Sequence, residues 1–228
     1  MKIIWLGHGS FRIEIEDQVL LVDPWLGNPM LPKEHHEAAL SGATNILITH
    51  AHGDHASDAV TVAKQTGAPL SGMVELMGHL GGTDGIETTG FNIGGTITLG
   101  RVSVSMVPAL HSSSFGGSDA PMGREIGFII AGEGHRIYFS GDTGIMADME
   151  WIGDYYKPDI GILSAGGHYT MDMAQAAYAA KRYFDFETVI PCHYRTFPLL
   201  AQSAQELVDS LPGVKVIEPQ VMEAIEIR

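Results

Sequence analysis

The chain has 228 residues, 13 Lys+Arg against 27 Asp+Glu, and a formal net charge of −14. Hydrophobic residues make up 45% and charged residues 18%, a globular balance that excludes a disordered chain. No apolar run approaches the roughly 20 residues of a membrane helix, and the acidity excludes a general nucleic-acid binder, which needs a basic face.

A mass of 24.5 kDa scales to roughly 10,000 Å² of folded surface against roughly 35,000 Å² unfolded, enough burial for a core without covalent staples. The single cysteine, Cys192, rules out an intrachain disulfide and fits a reducing cytoplasm. MKIIWLGHGS carries neither the long apolar stretch nor the cleavage site of an export signal. No linker or low-complexity stretch divides the chain, so residues 1–228 read as one domain.

Taken in chain order, Lys2 to Leu6, Ser10 to Ile15 and Val19 to Val22 read as strands, with Gly7-His8-Gly9 and Glu16-Asp17-Gln18 as turns. Asn45 to Thr49 is a short buried-strand pattern that runs straight into a histidine cluster. Ser57 can cap a helix over Asp58 to Thr66, stopped by Gly67. Thr96 to Leu99, Val102 to Pro108, Glu125 to Ala131 and Arg136 to Ser140 form a second strand-rich stretch. Asp159 to Ser164 and Thr188 to Pro191 read as buried strands, with a helix over Met173 to Tyr183 capped near Thr170 or Asp172. A helix over Leu199 to Leu211 and strands over Val214 to Glu218 and Met222 to Ile227 complete the chain. A strand meander opens each half and helices follow, an order that two packed sheets with helices outside accommodate.

The strongest chemical signal is His50-Ala51-His52-Gly53-Asp54-His55, three imidazoles and a carboxylate directly after an apolar strand. Imidazole nitrogen and carboxylate oxygen are natural ligands for zinc and similar divalent ions. His50 and His52 stand at i and i+2, so an extended chain sends both to one side. Gly53 lets Asp54 and His55 turn toward a neighbouring position, so one loop can serve two adjacent ions. Two coordination shells need more donors, and strand exits are where α/β proteins place them. His111, Asp142 and His193 each follow an apolar strand.

The ordered set His50, His52, Asp54, His55, His111, Asp142 and His193 resembles the ligand pattern of the metallo-β-lactamase fold. WLGHGSF, LVDPWL, GDTG, GGHYTMD and CHYRTFP look like its small metal-dependent hydrolase branch, related to the ascorbate-6-phosphate lactonases. The resemblance implies an α/β, four-layer αββα sandwich of two mixed sheets flanked by helices. It implies that His50, His52 and His111 hold one divalent ion, that Asp54, His55 and His193 hold a second, and that Asp142 bridges them. The ions would be zinc, with manganese, iron or nickel as alternatives for the same donors. A hydroxide shared by the two ions would attack a small ester, lactone or phosphodiester, with Asp54 both ligating and orienting it.

Around this set, Asp23 either orients a ligand imidazole through its second ring nitrogen or caps a turn. His8, between two glycines, either lines the mouth of the site or is an ordinary turn residue. His168 and Tyr169 sit on a Gly-rich loop where relatives place a substrate-polarising side chain, so His168 is implied as oxyanion stabiliser or proton donor. Tyr194 and Arg195 follow His193, and Arg195 either binds an anionic substrate group or is solvated. Cys192 reads as a buried structural thiol. His35, His36, His79 and His135 read as surface residues, the first two on a loop near the site. Ser112 to Met122 is either a substrate loop or a plain connection.

Three other functions use the same residues. A nuclease would need a basic groove, which −14 net charge does not supply. An iron redox protein of this fold typically replaces one histidine of the cluster by an acid, and here His52 stands. A non-catalytic binding module would have no use for a full ligand set. The expected partner is therefore a small-molecule substrate, with no membrane or nucleic acid, and homo-oligomerisation is left open.

Overall fold

The computed structural model describes residues 1–82, 85–116, 118, 120 and 122–228. In chain order the strands are β1 (Lys2–Gly7), β2 (Ser10–Ile15), β3 (Gln18–Val22), β4 (Asn45–Ile48), β5 (Leu70–Met73), β6 (Thr88–Phe91), β7 (Thr96–Leu99), β8 (Val102–Pro108), β9 (Ile126–Gly132), β10 (His135–Phe139), β11 (Ile160–Ser164), β12 (Thr188–Cys192), β13 (Lys215–Val216) and β14 (Ala224–Glu226). The helices are α1 (His36–Leu40), α2 (Gly53–Ala56), α3 (Ala59–Thr66), α4 (Val74–Gly81), α5 (Met149–Tyr156), α6 (Met173–Tyr183) and α7 (Gln205–Ser210).

Among the described residues the strands form two seven-stranded mixed sheets, β14-β1-β2-β3-β4-β5-β6 and β13-β12-β11-β10-β9-β8-β7. Each half begins as an antiparallel meander, β1-β2-β3 and β7-β8-β9-β10. Each then turns parallel, β3-β4-β5-β6 and β10-β11-β12-β13. Parallel strands covered on both faces call for continuous apolar runs, and β4 (NILI) is buried at every position. The half-exposed β2 alternates instead, as a strand with one wet face does. Pro191 is tolerated within β12 because β13 pairs only at Thr188 and Val189, leaving no ladder partner that needs its missing N–H.

The core lies between the sheets, where Phe11 of β2 meets Phe139 of β10 edge-on at 5.6 Å and Phe91 of β6 stacks near Phe128 of β9 at 6.3 Å. On the outer face α4 packs against β5 and β6, while α5, α6 and α7 pack along one another. The total accessible surface of 9445 Å² agrees with the size scaling.

The helix over Met173–Tyr183 forms as predicted, opened by a capping box in which Asp172 accepts from Gln175 N and the Gln175 side chain accepts from Asp172 N. Gly67 ends α3 in the left-handed conformation. Other elements differ from the sequence prediction. The helix expected over Asp58 to Thr66 under a Ser57 cap starts at Ala59, with Asp58 at the N-cap position; the Asp58 carboxylate leaves the helix uncapped and accepts instead from Gly27 N at 3.0 Å. The helix expected over Leu199 to Leu211 shrinks to α7, because residues before it turn to bond other loops, as Ala201 N does with Gly166 O. His35 and His36 belong to a short helical segment, not a loop. Both strands near the C-terminus are shorter than expected, and β5, β6, α1, α2, α4 and α5 were not predicted, the turn at Gly53 to His55 being one turn of helix.

Candidate metal centre

The turns and loops that carry the predicted donors meet at one edge of the sandwich. They follow β1 (His8), β3 (Asp23), β4 (His50 to His55), β8 (His111), β10 (Asp142), β11 (His168) and β12 (His193). Backbone hydrogen bonds lace this edge. Ile126 N donates to Thr49 O across the two sheets, Gly144 N to Leu110 O, Met171 N to Thr143 O, and His193 N to His8 O. Thr143 adds its hydroxyl, which accepts from Leu110 N at 3.0 Å.

All seven predicted donors converge. His50, His52 and His111 form one group and Asp54, His55 and His193 another, each with donor atoms within 4.8 Å of one another. His50 Nε2 lies 3.0 Å from His52 Nδ1, and His111 Nε2 lies 3.3 Å from the same nitrogen. Asp142 stands between the groups. Its Oδ2 is 3.0 Å from His193 Nε2, 3.4 Å from His55 Nε2, 3.7 Å from His111 Nε2 and 4.0 Å from His50 Nε2. Asp54 Oδ2 faces the second group only, 3.7 Å from His193 Nε2 and 3.8 Å from His55 Nε2.

Asp23 is the hub behind both groups. Its Oδ1 accepts from Thr49 N at 2.8 Å, and its Oδ2 accepts from the Thr49 hydroxyl at 2.6 Å and from His55 Nδ1 at 2.8 Å. With its proton committed to Asp23, the Thr49 oxygen accepts from His50 Nδ1 at 2.9 Å. One buried carboxylate thus orients His55 directly and His50 through a hydroxyl, so that Nε2 of each faces Asp142. Among the described residues His55 Nε2 is buried with no hydrogen-bond partner. An imidazole nitrogen standing between the Asp142 and Asp54 carboxylates is a position for a cation, a proton or a metal, so the donor set fits a divalent ion.

Burial and the neighbouring carboxylates pull the charges of these groups in opposite directions. Burial opposes charge on His55, but Asp142 and Asp23 outweigh it and hold its pKa well above the usual value. Burial likewise opposes charge on His193, yet Asp142 and Asp54 raise its pKa to about 9. Asp142 is held well below the carboxylate range despite burial, by His193 and His55. Asp54 is held below its usual range against burial by hydrogen bonds from His193 and His8. Burial lowers His50 and His111, and takes His8 down to about 4. Burial raises Asp23, and it raises the Cys192 thiol, which is buried as predicted and not poised to react.

The remaining predicted residues divide. His8 is fully buried, so it does not line a mouth; its Nε2 meets Asp54 Oδ2 at 2.9 Å. His168 and Tyr169 are exposed on the turn after β11 with their rings 4.5 Å apart, and His168 takes a positive φ of 59°. The structure keeps both out of the donor groups and at the same edge. Tyr194 contradicts a substrate role, because its ring is fully buried and stacks on Trp5 at 5.5 Å. Arg195 also departs from expectation: its φ of 65° turns the chain, and its guanidinium pairs with Glu218 at 3.6 Å.

His35, His36, His79 and His135 stay out of the donor groups, and His135 bonds Asp159 instead. Of the Ser112 to Met122 stretch, Gly117, Asp119 and Pro121 lie outside the described residues. Ser112 Oγ sits 3.3 Å from His52 Nε2, and the Ser113 hydroxyl accepts from Ala51 N at 3.3 Å. Thr196, not singled out from sequence, places its hydroxyl 2.8 Å from His8 Nδ1.

Comparison with known proteins defines the class first. Residues 18–194 match the family of the beta-lactamase superfamily domain. A metallo hydrolase from the archaeon Ignicoccus hospitalis superposes with a TM-score of 0.85 at 34% identity, covering 100% of this chain and 99% of that one. Two curated bacterial relatives narrow it. A UPF0173 metal-dependent hydrolase of Roseobacter denitrificans is 66% identical over 99% of both chains, and one of Ruegeria pomeroyi is 66% identical over 100% of both. The chain belongs to the UPF0173 metal-dependent hydrolases of the β-lactamase superfamily.

Proposed function

We propose that the protein hydrolyses a small ester, lactone or phosphodiester with two divalent ions, one at His50, His52 and His111 and one at Asp54, His55 and His193, bridged by Asp142. The observation that carries this is the single oxygen of Asp142 facing four imidazoles drawn from both groups, at 3.0 to 4.0 Å. Two ions there would lower the pKa of a shared water toward ~7 and polarise the bond under attack. Asp54, the partly exposed carboxylate of the set, stays ionised and would both ligate the second ion and orient the attacking hydroxide. Asp23 and Thr49 hold His50 and His55 in the tautomer that faces the site. His168, on a rim turn tied to the Asp142 loop through Met171 N and Thr143 O, meets the oxyanion or the leaving group.

Five imidazoles and two carboxylates favour zinc, with manganese, iron and nickel as competitors for the same donors. Among the described residues no helix is long and apolar enough to cross a membrane. The net charge of −14 supports a small-molecule substrate over nucleic acid, and the lone cysteine supports a cytoplasmic setting.

The test is a panel assay on the metal-reconstituted chain, spanning lactones, phosphorylated sugar lactones, phosphodiesters, cyclic nucleotides, thioesters and β-lactams. Turnover that needs about two ions per chain is expected. His168→Ala should keep the metal content and lose roughly 10²–10⁴ in turnover on the substrate so found. No metal uptake, and no hydrolysis rescued by zinc or manganese, would overturn the proposal.

A further inference from the structure

Resting on the metal pair proposed above, we infer that His8 is a positioning residue for the second ion: the β1–β2 turn holds Asp54 and His193 in place without itself coordinating. His8 lies with Asp54, His55 and His193 inside one 4.8 Å donor group, so proximity alone would make it a fourth ligand. Hydrogen-bond chemistry says otherwise. An ionised carboxylate only accepts, so the 2.9 Å contact with Asp54 Oδ2 puts the proton on His8 Nε2. That nitrogen has no lone pair left for a cation. The other nitrogen, Nδ1, engages the Thr196 hydroxyl at 2.8 Å on the far side of the ring.

What His8 touches are the ligands themselves. Asp54 Oδ2, which it holds, is the oxygen that faces His193 and His55. The His193 ring lies 3.9 Å from the His8 ring, centroid to centroid, and His193 N donates to His8 O at 3.0 Å. Among the described residues His193 Nδ1 is buried with no hydrogen-bond partner, unlike His55 Nδ1 with Asp23, so behind the Asp142 contact it is packing against His8 that orients that ring.

The turn is built for this contact. His8 takes a φ of 52°, costly for a side chain-bearing residue, and its carbonyl is pinned by the Trp5 indole at 2.8 Å. Gly9 has no Cβ because one would stand 2.7 Å from Cε1 of His55. Trp25 and Phe197 close over the His8 ring at 5.4 and 5.6 Å. Gly-His-Gly therefore presses on both imidazoles and the carboxylate of the second group at once.

The test is an equilibrium zinc titration of the metal-free chain against a chromophoric chelator, for wild type, His8→Ala, His8→Gln and Thr196→Val, with melting of each metal-free protein measured alongside. His8→Ala should weaken one ion by roughly 10–100-fold and leave the other unchanged. His8→Gln, whose amide N–H can reach the same oxygen, should recover most of that loss. Thr196→Val, which leaves the turn intact, should weaken the same ion by less, and it carries the test if His8→Ala melts early. Both affinities staying within about twofold in His8→Ala and in Thr196→Val would overturn the inference. Loss of one whole ion in His8→Gln as in His8→Ala would overturn it too, by making His8 a ligand. A wild-type chain that takes up no zinc would instead overturn the metal pair, and this inference with it.

Discussion

The two donor groups share Asp142 but are built differently. The Asp54, His55 and His193 group carries a carboxylate of its own, and its two imidazoles are about 1% exposed. Behind it stand the Asp23 carboxylate on His55 and the His8 ring on Asp54 and His193. The His50, His52 and His111 group is three imidazoles, two of them partly exposed, with hydroxyls behind it: Thr49 on His50 and Ser112 on His52. A carboxylate partner raises the basicity of a ligating imidazole more than a hydroxyl does, and a buried, fixed donor loses less freedom on binding. The two sites should therefore be unequal, the second tight and the first exchangeable.

The largest expected effect falls on the shared residue. Asp142→Ala should release both ions and lower turnover by more than about a thousandfold, checked by elemental analysis and kinetics. Keeping both ions would remove Asp142 as the bridge. Asp23→Asn comes next. It should weaken both ions by roughly 10–100-fold, since Asp23 serves His55 directly and His50 through Thr49. A titration in which only one ion weakens would show that the hydroxyl link to the first group carries nothing.

Protons give a third contrast. The pKa of His193 is raised to about 9 from 6.5 by neighbouring carboxylates, so the metal-free chain carries its proton at pH 7. That pairing stabilises the metal-free fold fully below the unfolded value of 6.5 and is lost as pH rises through about 9. Zinc entering the second site at pH 7 must expel that proton, whereas His50 and His111 are already neutral. Calorimetry in buffers of different ionisation enthalpy should therefore show proton release for the tighter ion and little for the weaker one. Equal release from both would break the contrast. The smallest effect belongs outside both groups: Arg195→Ala should change KM and kcat by less than about twofold, because Glu218 already holds the guanidinium.

The sequence carried the donors better than their supports. His111, Asp142 and His193 were legible because each follows an apolar strand, and β8, β10 and β12 run in the same direction, so their exits lie at one edge of the sheet. Thr196 was not legible, since its partner His8 is 188 residues away and a threonine among loop residues has no pattern of its own. Arg195 misled for the same reason: its ion partner, Glu218, comes from another loop. Among the elements, β5 was hidden because Leu70-Ser71-Gly72-Met73 breaks an apolar run with a glycine. The structure supplies the cause, since a Cβ on Gly72 would stand 2.8 Å from Ile48 O on the neighbouring strand. Ser57 looked like the cap of a helix starting at Asp58, but Asp58 takes the N-cap position and spends its carboxylate on Gly27 N, a tertiary contact that local propensity cannot anticipate.

The inequality of the two sites is tested most directly by crystals of the chain loaded with one equivalent of zinc, with anomalous scattering recorded at the zinc edge. A single dominant peak among Asp54, His55 and His193, with Asp142 as the shared ligand, is the predicted result. A dominant peak among His50, His52 and His111, or equal peaks in both groups, would contradict it.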